Sequence, residues 1–255
     1  MSGSEKGPAS GTSLVESTVH WLGVGAHSIL WPSVSFAWGL VERTGPRQHA
    51  LMNIWSRGCL RSAGVRVSVR GLEHVLRDRP QIFFSNHASI ADICVLGAIL
   101  PVEYRWLARK EVFSVPFIGW YLTVARHLKI DRGDRSSAIR LLNEAAERVR
   151  SGTNVLVFPE GTRSPDGNLL PFKKGVFHLA LAAGVPIVPI RLLGSGRIIP
   201  KGSMRLGAAE VEVVLGAPIS TEGLGEADLP ALMDHVRDAM VRLGDPALRG
   251  FPQPV

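Results

Sequence analysis

Short apolar segments alternate with longer amphipathic segments over most of the chain, and this alternation limits the possible folds more than any other feature. Segments 82–85, 155–158 and 187–193 are apolar over the length of a strand, whereas 134–151 and 228–243 have the length and periodicity of helices. Such alternation is typical of parallel strands joined by helical crossovers that pack on the sheet. We therefore predict an α/β fold with a mixed, largely parallel sheet flanked by helices.

A histidine and an acid lie five positions apart just after the segment at 82–85. Residues 85–92 read S-N-H-A-S-I-A-D, and an apolar run follows them. In open α/β sheets, ligands bind at such junctions at the carboxyl ends of strands. His87 and Asp92 can meet only if His87 lies in the loop and Asp92 in the first helical turn, since five helical positions separate two side chains by about 140°. A carboxylate on one imidazole nitrogen leaves the other free as a general base.

The same residues also permit a purely structural interpretation. Ser89-x-x-Asp92 before an apolar run has the pattern of a capping box. In that arrangement Asp92 closes the N-terminus of the helix, and His87 is only a loop residue. These residues alone do not separate the two interpretations.

The N-terminal quarter of the chain differs in composition from the rest. Residues 1–13 are small and polar and are predicted to be a disordered lead. Residues 17–41 contain no charged residue and carry three tryptophans. This stretch is long enough for a single span, but Pro32 and several polar residues dilute its apolarity, and repeated tryptophan is typical of an interfacial position.

The next segment is predicted to be an amphipathic helix. Leu51, Ile54 and Trp55 fall on one helical stripe. Three arginines surround this stripe: Arg47, Arg57 and Arg61. The pattern suits a helix lying on an anionic surface, so we predict that residues 14–63 form a membrane-associating helical module at the cytoplasmic face, monotopic or with one span. A helical pair that caps the core of a soluble protein is the alternative.

The composition favours anionic partners. The formal net charge is +7, and most of the cations are arginine. A basic surface suits phospholipid head groups, acyl carriers or nucleic acid, but no zinc-finger spacing or aromatic RNA-binding motif accompanies it, so no nucleic-acid partner is predicted. Cys59 and Cys94 are the only cysteines. They predict neither a disulfide framework nor a cysteine-based metal site, and they fit a reducing compartment.

Four sequence blocks resemble those of the glycerolipid acyltransferases, whose best-known members are the 1-acylglycerol-3-phosphate acyltransferases. The blocks are N-H-x-x-x-x-D at 86–92, K-E and I-D-R at 110–111 and 130–132, F-P-E-G-T-R-S at 158–164, and V-P-I-V-P-I at 185–190. They occur in the family's order, and the similarity extends over roughly residues 65–220. Residues 64–255 are therefore interpreted as an acyltransferase catalytic domain.

The resemblance implies transfer of a fatty acyl group from acyl-CoA or acyl carrier protein to the free hydroxyl of 1-acylglycerol-3-phosphate, which gives phosphatidate. It implies that His87 is the general base and that Asp92 orients it. The implied substrate-binding residues are Glu160, Gly161, Thr162, Arg163, Lys110 and Arg132. Arg163 is expected to grip the acceptor phosphate, and Glu160 to orient Arg163 or the glycerol hydroxyls. The thioester is a co-substrate, and no cofactor or metal ion is expected.

Two other functions remain open at this stage. One is an acyltransferase of the same family with another acceptor, such as a lyso-ornithine lipid or a phospholipid being remodelled. The other is an inactive membrane-binding protein of the same fold. The chain has no G-x-S-x-G motif, so the sequence does not suggest a covalent acyl-enzyme.

Overall fold

One sheet organises the part of the chain that the computed structural model describes, which is residues 12–41, 46–130, 135–246 and 253–254. The strands of these residues are β1 (Arg66–Arg70), β2 (Ile82–Ser85), β3 (Tyr104–Arg109), β4 (Leu128–Ile130), β5 (Asn154–Val157), β6 (Ile187–Leu193), β7 (Glu210–Leu215) and β8 (Gln253–Pro254). The helices are α1 (Leu14–Gly39), α2 (Pro46–Ser62), α3 (Asp92–Ile99), α4 (Ile118–Val124), α5 (Arg135–Arg150), α6 (Lys174–Ala183) and α7 (Leu229–Leu243).

The sheet order is β4-β3-β5-β2-β6-β7-β1-β8. Five of its seven strand pairs are parallel, and the β6–β7 and β1–β8 pairs are antiparallel. The prediction of a mixed, largely parallel sheet with flanking helices is therefore confirmed. Strand β2 pairs in parallel with β5 on one side and β6 on the other, so the carboxyl ends of all three strands lie at the same edge.

Helices cover both faces of the sheet. The side chain of Phe83 belongs to the core beneath α2, α3 and α4, whereas Ile82 and Phe84 belong to the core beneath α5, α6 and α7. All three side chains are fully buried. Burial on both faces explains why β2 is a continuous apolar run rather than an alternating one.

The two N-terminal helices pack into the same core as the sheet. Helix α1 contacts α2 and α4, and α2 contacts α3. Met52 and Leu60 of α2 are buried in the core that contains Phe83. The Ser13 hydroxyl caps α1 by accepting from the Glu16 N–H, and the Glu16 carboxylate accepts from the Ser13 N–H in turn. Helices thus occupy most of residues 14–63, while residues 1–11 lie outside the described residues.

Helix α1 turns small residues inward and large apolar residues outward. Its buried positions are Ser17, Pro32, Ser35 and Gly39. Its most exposed apolar side chains include Leu14, Val15, Val19, Leu22, Ile29 and Leu30, at 53–74% exposure. Within the described residues, no helix combines the length and apolarity needed to cross a bilayer, and α1 is among those that fall short.

The stripe predicted for α2 is only partly correct. Ile54 is 45% exposed, but Leu51 and Trp55 are half-buried and line a cavity. The buried face of α2 is offset from them and carries Met52 and Leu60. The large exposed apolar surface of the N-terminal region therefore belongs to α1, because α2 lies between α1 and α3 and uses its stripe for internal contacts.

Candidate active site

His87 and Asp92 meet at the carboxyl end of β2. The His87 Nδ1 atom lies 2.8 Å from Asp92 Oδ2, in the loop-to-helix geometry that the spacing predicts. The Asp92 side chain is fully buried, whereas the His87 side chain is 17% exposed. Since a carboxylate only accepts hydrogen bonds, Nδ1 carries the hydrogen, and in the neutral imidazole the lone pair is then on Nε2.

Asp92 also closes the loop that leads into α3, so the structural and catalytic interpretations are compatible. Its Oδ2 accepts from the backbone N–H groups of Ala88, at 2.8 Å, and Ser89, at 2.9 Å. Only half of the predicted capping box forms, because the Ser89 hydroxyl accepts from the Ala91 N–H at 3.3 Å, and the Asp92 N–H donates to the Ser89 carbonyl at 3.2 Å instead. The same carboxylate thus shapes the loop and orients the imidazole.

The loop after β5 holds the backbone of His87 on both sides. The His87 N–H donates to Glu160 Oε1 at 3.0 Å, and the Ser164 N–H donates to the His87 carbonyl at 2.7 Å. Gly161 takes a positive φ of 70° in the turn between them, a conformation that side chains disfavour. The F-P-E-G-T-R-S block therefore forms the clamp that positions the imidazole.

Glu160 has a different contact from the one expected from the sequence. Its second carboxylate oxygen accepts from the Leu170 N–H at 3.0 Å, so backbone amides occupy both oxygens. The side chain is 1% exposed and makes no hydrogen bond to Arg163 among the described residues. Burial raises the pKa of Glu160, and the two amides, with the charge of Arg191 nearby, limit that rise. Glu160 thus braces two loops, and its expected role in orienting Arg163 or the glycerol hydroxyls stays a prediction.

Asn86 fixes the other side of the His87 loop. Its side-chain amide donates to the Leu192 carbonyl at 3.0 Å and accepts from the Leu192 N–H at 2.6 Å. These two bonds continue the pairing of β2 with β6 after β2 has ended. His87 is thus held between β6, through Asn86, and the loop after β5.

Phe158 supports the imidazole, a role that the sequence reasoning missed. Its ring stacks on His87 with centroids 4.0 Å apart and planes 14° apart, and it also stacks with Trp106, with centroids 5.8 Å apart. An aromatic pair of this kind contributes about 0.5–1.5 kcal/mol beyond its burial. The signal was present, because Phe158 opens the F-P-E-G-T-R-S block, but its contact depends on the pairing of β5 with β2.

A largely apolar cavity of about 220 Å³ lies beside His87. His87, Phe158 and Gly161 form one part of its wall, and β3 and α4 form another. The N-terminal helices complete it through Trp31, Pro32, Ser35, Leu51, Met52 and Trp55. We call this space the apolar cavity.

The predicted cationic residues are distributed around this edge of the sheet. Arg163 is half-buried, and its carbonyl accepts from Lys201 Nζ at 2.8 Å. Lys110 is exposed at the start of a short 3-10 helix after β3, and its neighbour Arg109 lines the apolar cavity. Thr162 is exposed beside Gly161. Arg132 lies outside the described residues, so its expected role stays a prediction.

Within the residues that the structure describes, no group of three or more His, Cys, Asp or Glu side chains is arranged to hold a metal ion. Cys59 and Cys94 are both free thiols, and the Cys59 thiol donates to the Val24 carbonyl at 3.9 Å.

Comparison with known proteins identifies relatives of this chain. A protein-family model described as Acyltransferase matches residues 66–193. The chain is 40% identical over 156 residues to the chloroplastic 1-acyl-sn-glycerol-3-phosphate acyltransferase BAT2 of Brassica napus, a match that covers 60% of this chain and 45% of the relative. It is 37% identical over 179 residues to 1-acyl-sn-glycerol-3-phosphate acyltransferase alpha of Homo sapiens, covering 70% of this chain and 63% of the relative.

A solved structure shares the fold. The crystal structure of the 1-acyl-sn-glycerophosphate (LPA) acyltransferase PlsC from Thermotoga maritima superposes with a TM-score of 0.78 at 24% identity, and the match covers 93% of this chain and 97% of the other. The family model spans the His87 loop, the clamp after β5 and all of β6. By this match over half of its length, the chain belongs to the acyltransferase family.

Proposed function

We propose that this chain is a 1-acyl-sn-glycerol-3-phosphate O-acyltransferase. It moves a fatty acyl group from the thioester of acyl-CoA or acyl carrier protein to the free hydroxyl of 1-acylglycerol-3-phosphate, and the product is phosphatidate. The observation that carries the proposal is the His87–Asp92 pair, held by a buried clamp and open to an apolar cavity. The names of its relatives supply the acceptor.

His87 serves as the general base. Its Nε2 accepts the proton of the acceptor hydroxyl as the oxygen attacks the thioester carbonyl. The C–S bond then breaks, and the imidazolium returns the proton to the leaving sulfur. Asp92 holds the imidazole in the required tautomer and stabilises its positive form, as the acid does in serine hydrolases. The substrate hydroxyl is the nucleophile, so no acyl-enzyme is needed.

The apolar cavity accommodates a fatty acyl chain. Its wall is made mostly of apolar side chains, half of the lining residues being tryptophan, leucine, isoleucine or valine, and His87 belongs to the same wall. An acyl chain inside it would leave water at a gain of about 0.8 kcal/mol per methylene group. The thioester or ester carbonyl would then lie beside the imidazole.

The acceptor phosphate lies among the cations of the site. Arg163 is the proposed fork for paired phosphate oxygens, and Lys110 and Arg132 supply further positive charge. Gly161 permits close approach of the backbone, and the exposed hydroxyl of Thr162 can donate to the glycerol or the phosphate. These are substrate-binding roles, distinct from the bracing role of Glu160.

A membrane surface is the proposed location of the reaction. The outward face of α1 exposes large apolar side chains that a protein surrounded only by water would not display as one surface. A helix of this kind lies in the plane of the bilayer with its apolar face among the acyl chains. This placement gives membrane-embedded lysolipids access to the site.

Product analysis by mass spectrometry tests the proposal. The purified protein is offered a panel of lysolipids with acyl-CoA and, separately, with acyl carrier protein. The proposal predicts phosphatidate as the main product and no product with a His87→Ala variant. Preferential acylation of a lyso-ornithine lipid or a lysophospholipid would reassign the acceptor, and no acylation of any acceptor would support an inactive membrane-binding protein.

A further inference from the structure

We propose that the loop at residues 200–206 forms a second contact with an anionic lipid surface. Its sequence is P-K-G-S-M-R-L, and we call it the 200–206 loop. Met204 inserts among the lipids, and the flanking Lys201 and Arg205 bind lipid phosphates. The inference rests on the proposed function, since it needs the reaction to take place at a bilayer.

The loop holds Met204 outward in a defined shape. Met204 is 78% exposed, and Lys201 and Arg205 are also exposed. The loop is closed by backbone bonds from Ser203 N–H to the Pro200 carbonyl, at 2.9 Å, and from Gly207 N–H to the Ile198 carbonyl, at 3.0 Å. Because the neighbouring Ile198 and Leu206 are buried, the loop is anchored at both ends and Met204 cannot simply fold into the core.

The loop is fastened to the outward-facing helix α1. The Trp21 indole N–H donates to the Met204 carbonyl at 2.7 Å, and the Leu206 N–H donates to the Ser17 hydroxyl at 3.0 Å. These bonds place Met204 beside the first three turns of α1, where Val15 and Leu22 are 74% and 70% exposed. The exposed methionine therefore extends the apolar surface of α1.

The charge pattern selects the partner. Residues 194–209 contain three cations and no acidic residue, and two of the cations flank Met204. Apolar insertion flanked by lysine or arginine is the pattern of contact with anionic membranes, to which each cation near the surface adds attraction. A protein partner would need a complementary acidic surface, whereas an anionic bilayer supplies both charge and apolar depth.

The loop also borders the active site. Lys201 Nζ donates to the Arg163 carbonyl, and the Ile199 carbonyl accepts from the Ser89 hydroxyl at 3.3 Å. The surface that meets the lipid is thus continuous with the loops around His87. An acceptor lipid in the same bilayer would lie at the same end of the molecule.

Vesicle binding by the full-length protein tests the inference. Flotation is measured with vesicles of phosphatidylcholine alone and of phosphatidylcholine with phosphatidylglycerol. Met204→Ser should weaken binding to both by on the order of tenfold, because it removes one inserted apolar side chain. Arg205→Gln should weaken binding about fivefold, and only with the anionic vesicles. The matched controls are Val241→Ser and Arg242→Gln on α7, across the sheet, which should bind as the wild type does.

A further variant, Leu22→Ser on α1, separates this inference from the proposed membrane face. In one outcome, Leu22→Ser weakens flotation while Met204→Ser and Arg205→Gln match the controls. That result would overturn the proposed contact of the 200–206 loop with lipid and would support membrane contact through α1 alone. If the wild-type protein does not float with either vesicle, both are overturned. Acyl transfer in detergent micelles measures the proposed function independently, and all these exposed variants should retain it.

Discussion

Replacement of Glu160 by glutamine distinguishes the bracing role from the substrate contact expected from the sequence. In the folded protein one carboxylate oxygen accepts from the His87 N–H and the other from the Leu170 N–H. The glutamine side chain has one carbonyl oxygen, which accepts, and one amide NH₂ group, which only donates. One of the two backbone N–H groups would therefore face the NH₂ group and lose its acceptor. Glu160→Gln therefore loosens either the His87 loop or the loop that contains Leu170.

The expected magnitude follows from the lost acceptor. A buried N–H without a partner costs about 1–3 kcal/mol. Because burial raises the pKa of Glu160, removal of its charge offsets part of this cost, and we expect the lower part of that range. In a chain of this length 1 kcal/mol shifts Tm by about 2–4 °C, so Tm should fall by about 2–6 °C. Displacement of His87 should lower kcat by up to about a hundredfold.

The assay combines a melting curve with separate kinetic constants for acceptor and donor. Glu222→Gln, a replacement of an exposed glutamate, is the matched control and should change neither. The bracing role predicts a lower Tm and kcat with nearly constant KM for the acceptor. A raised acceptor KM at unchanged Tm would refute the bracing role and would indicate that Glu160 contacts the substrate.

Three further outcomes are expected. Asp92→Asn should lower kcat by about 10²–10⁴-fold and leave the circular dichroism spectrum nearly unchanged, because the imidazole loses its charged partner while the amide oxygen can still accept from the Ala88 and Ser89 N–H groups. Arg163→Lys should lower kcat/KM for the acceptor about ten- to a hundredfold and leave the donor constant alone, since lysine keeps the charge but not the fork; equal loss for both substrates would indicate a structural role. Burial, with Arg105 and Arg148 nearby, holds the pKa of His127 well below its usual 6.5. The unfolded chain therefore binds a proton that the folded chain does not, and the free energy of unfolding should fall as pH drops below about 6.5; His127→Gln should flatten this fall in urea titrations.

Local patterns in the sequence were sufficient to predict most elements of the fold. The predicted strands at 82–85 and 187–193 match β2 and β6 residue for residue, because apolar runs of strand length between polar turns leave few alternatives. The meeting of His87 with Asp92 was also predictable, since it depends only on how a loop enters a helix. Helix α4 was missed, because it is short and follows Phe117 in an unusual positive-φ conformation.

Contacts between distant segments were not predictable in the same way. Glu160 reaches the His87 backbone, and Phe158 reaches the imidazole, only because β5 pairs with β2 across 73 residues of sequence separation. The orientation of α1 was equally hard to predict, since apolar residues occur all around the helix and three of its four most buried residues are Ser17, Ser35 and Gly39. Such features follow from strand order and helix packing, which the periodicity of a segment does not encode.

The rate of acyl transfer by His87→Ala tests the central claim most directly. If His87 is the base that removes the hydroxyl proton, the variant should lose at least about 10²–10⁴-fold in kcat while its circular dichroism and Tm remain close to those of the wild type. Activity should also fail to recover with higher acceptor concentration, because binding is not what was removed. A folded His87→Ala protein that transfers acyl groups at the wild-type rate would contradict the mechanism.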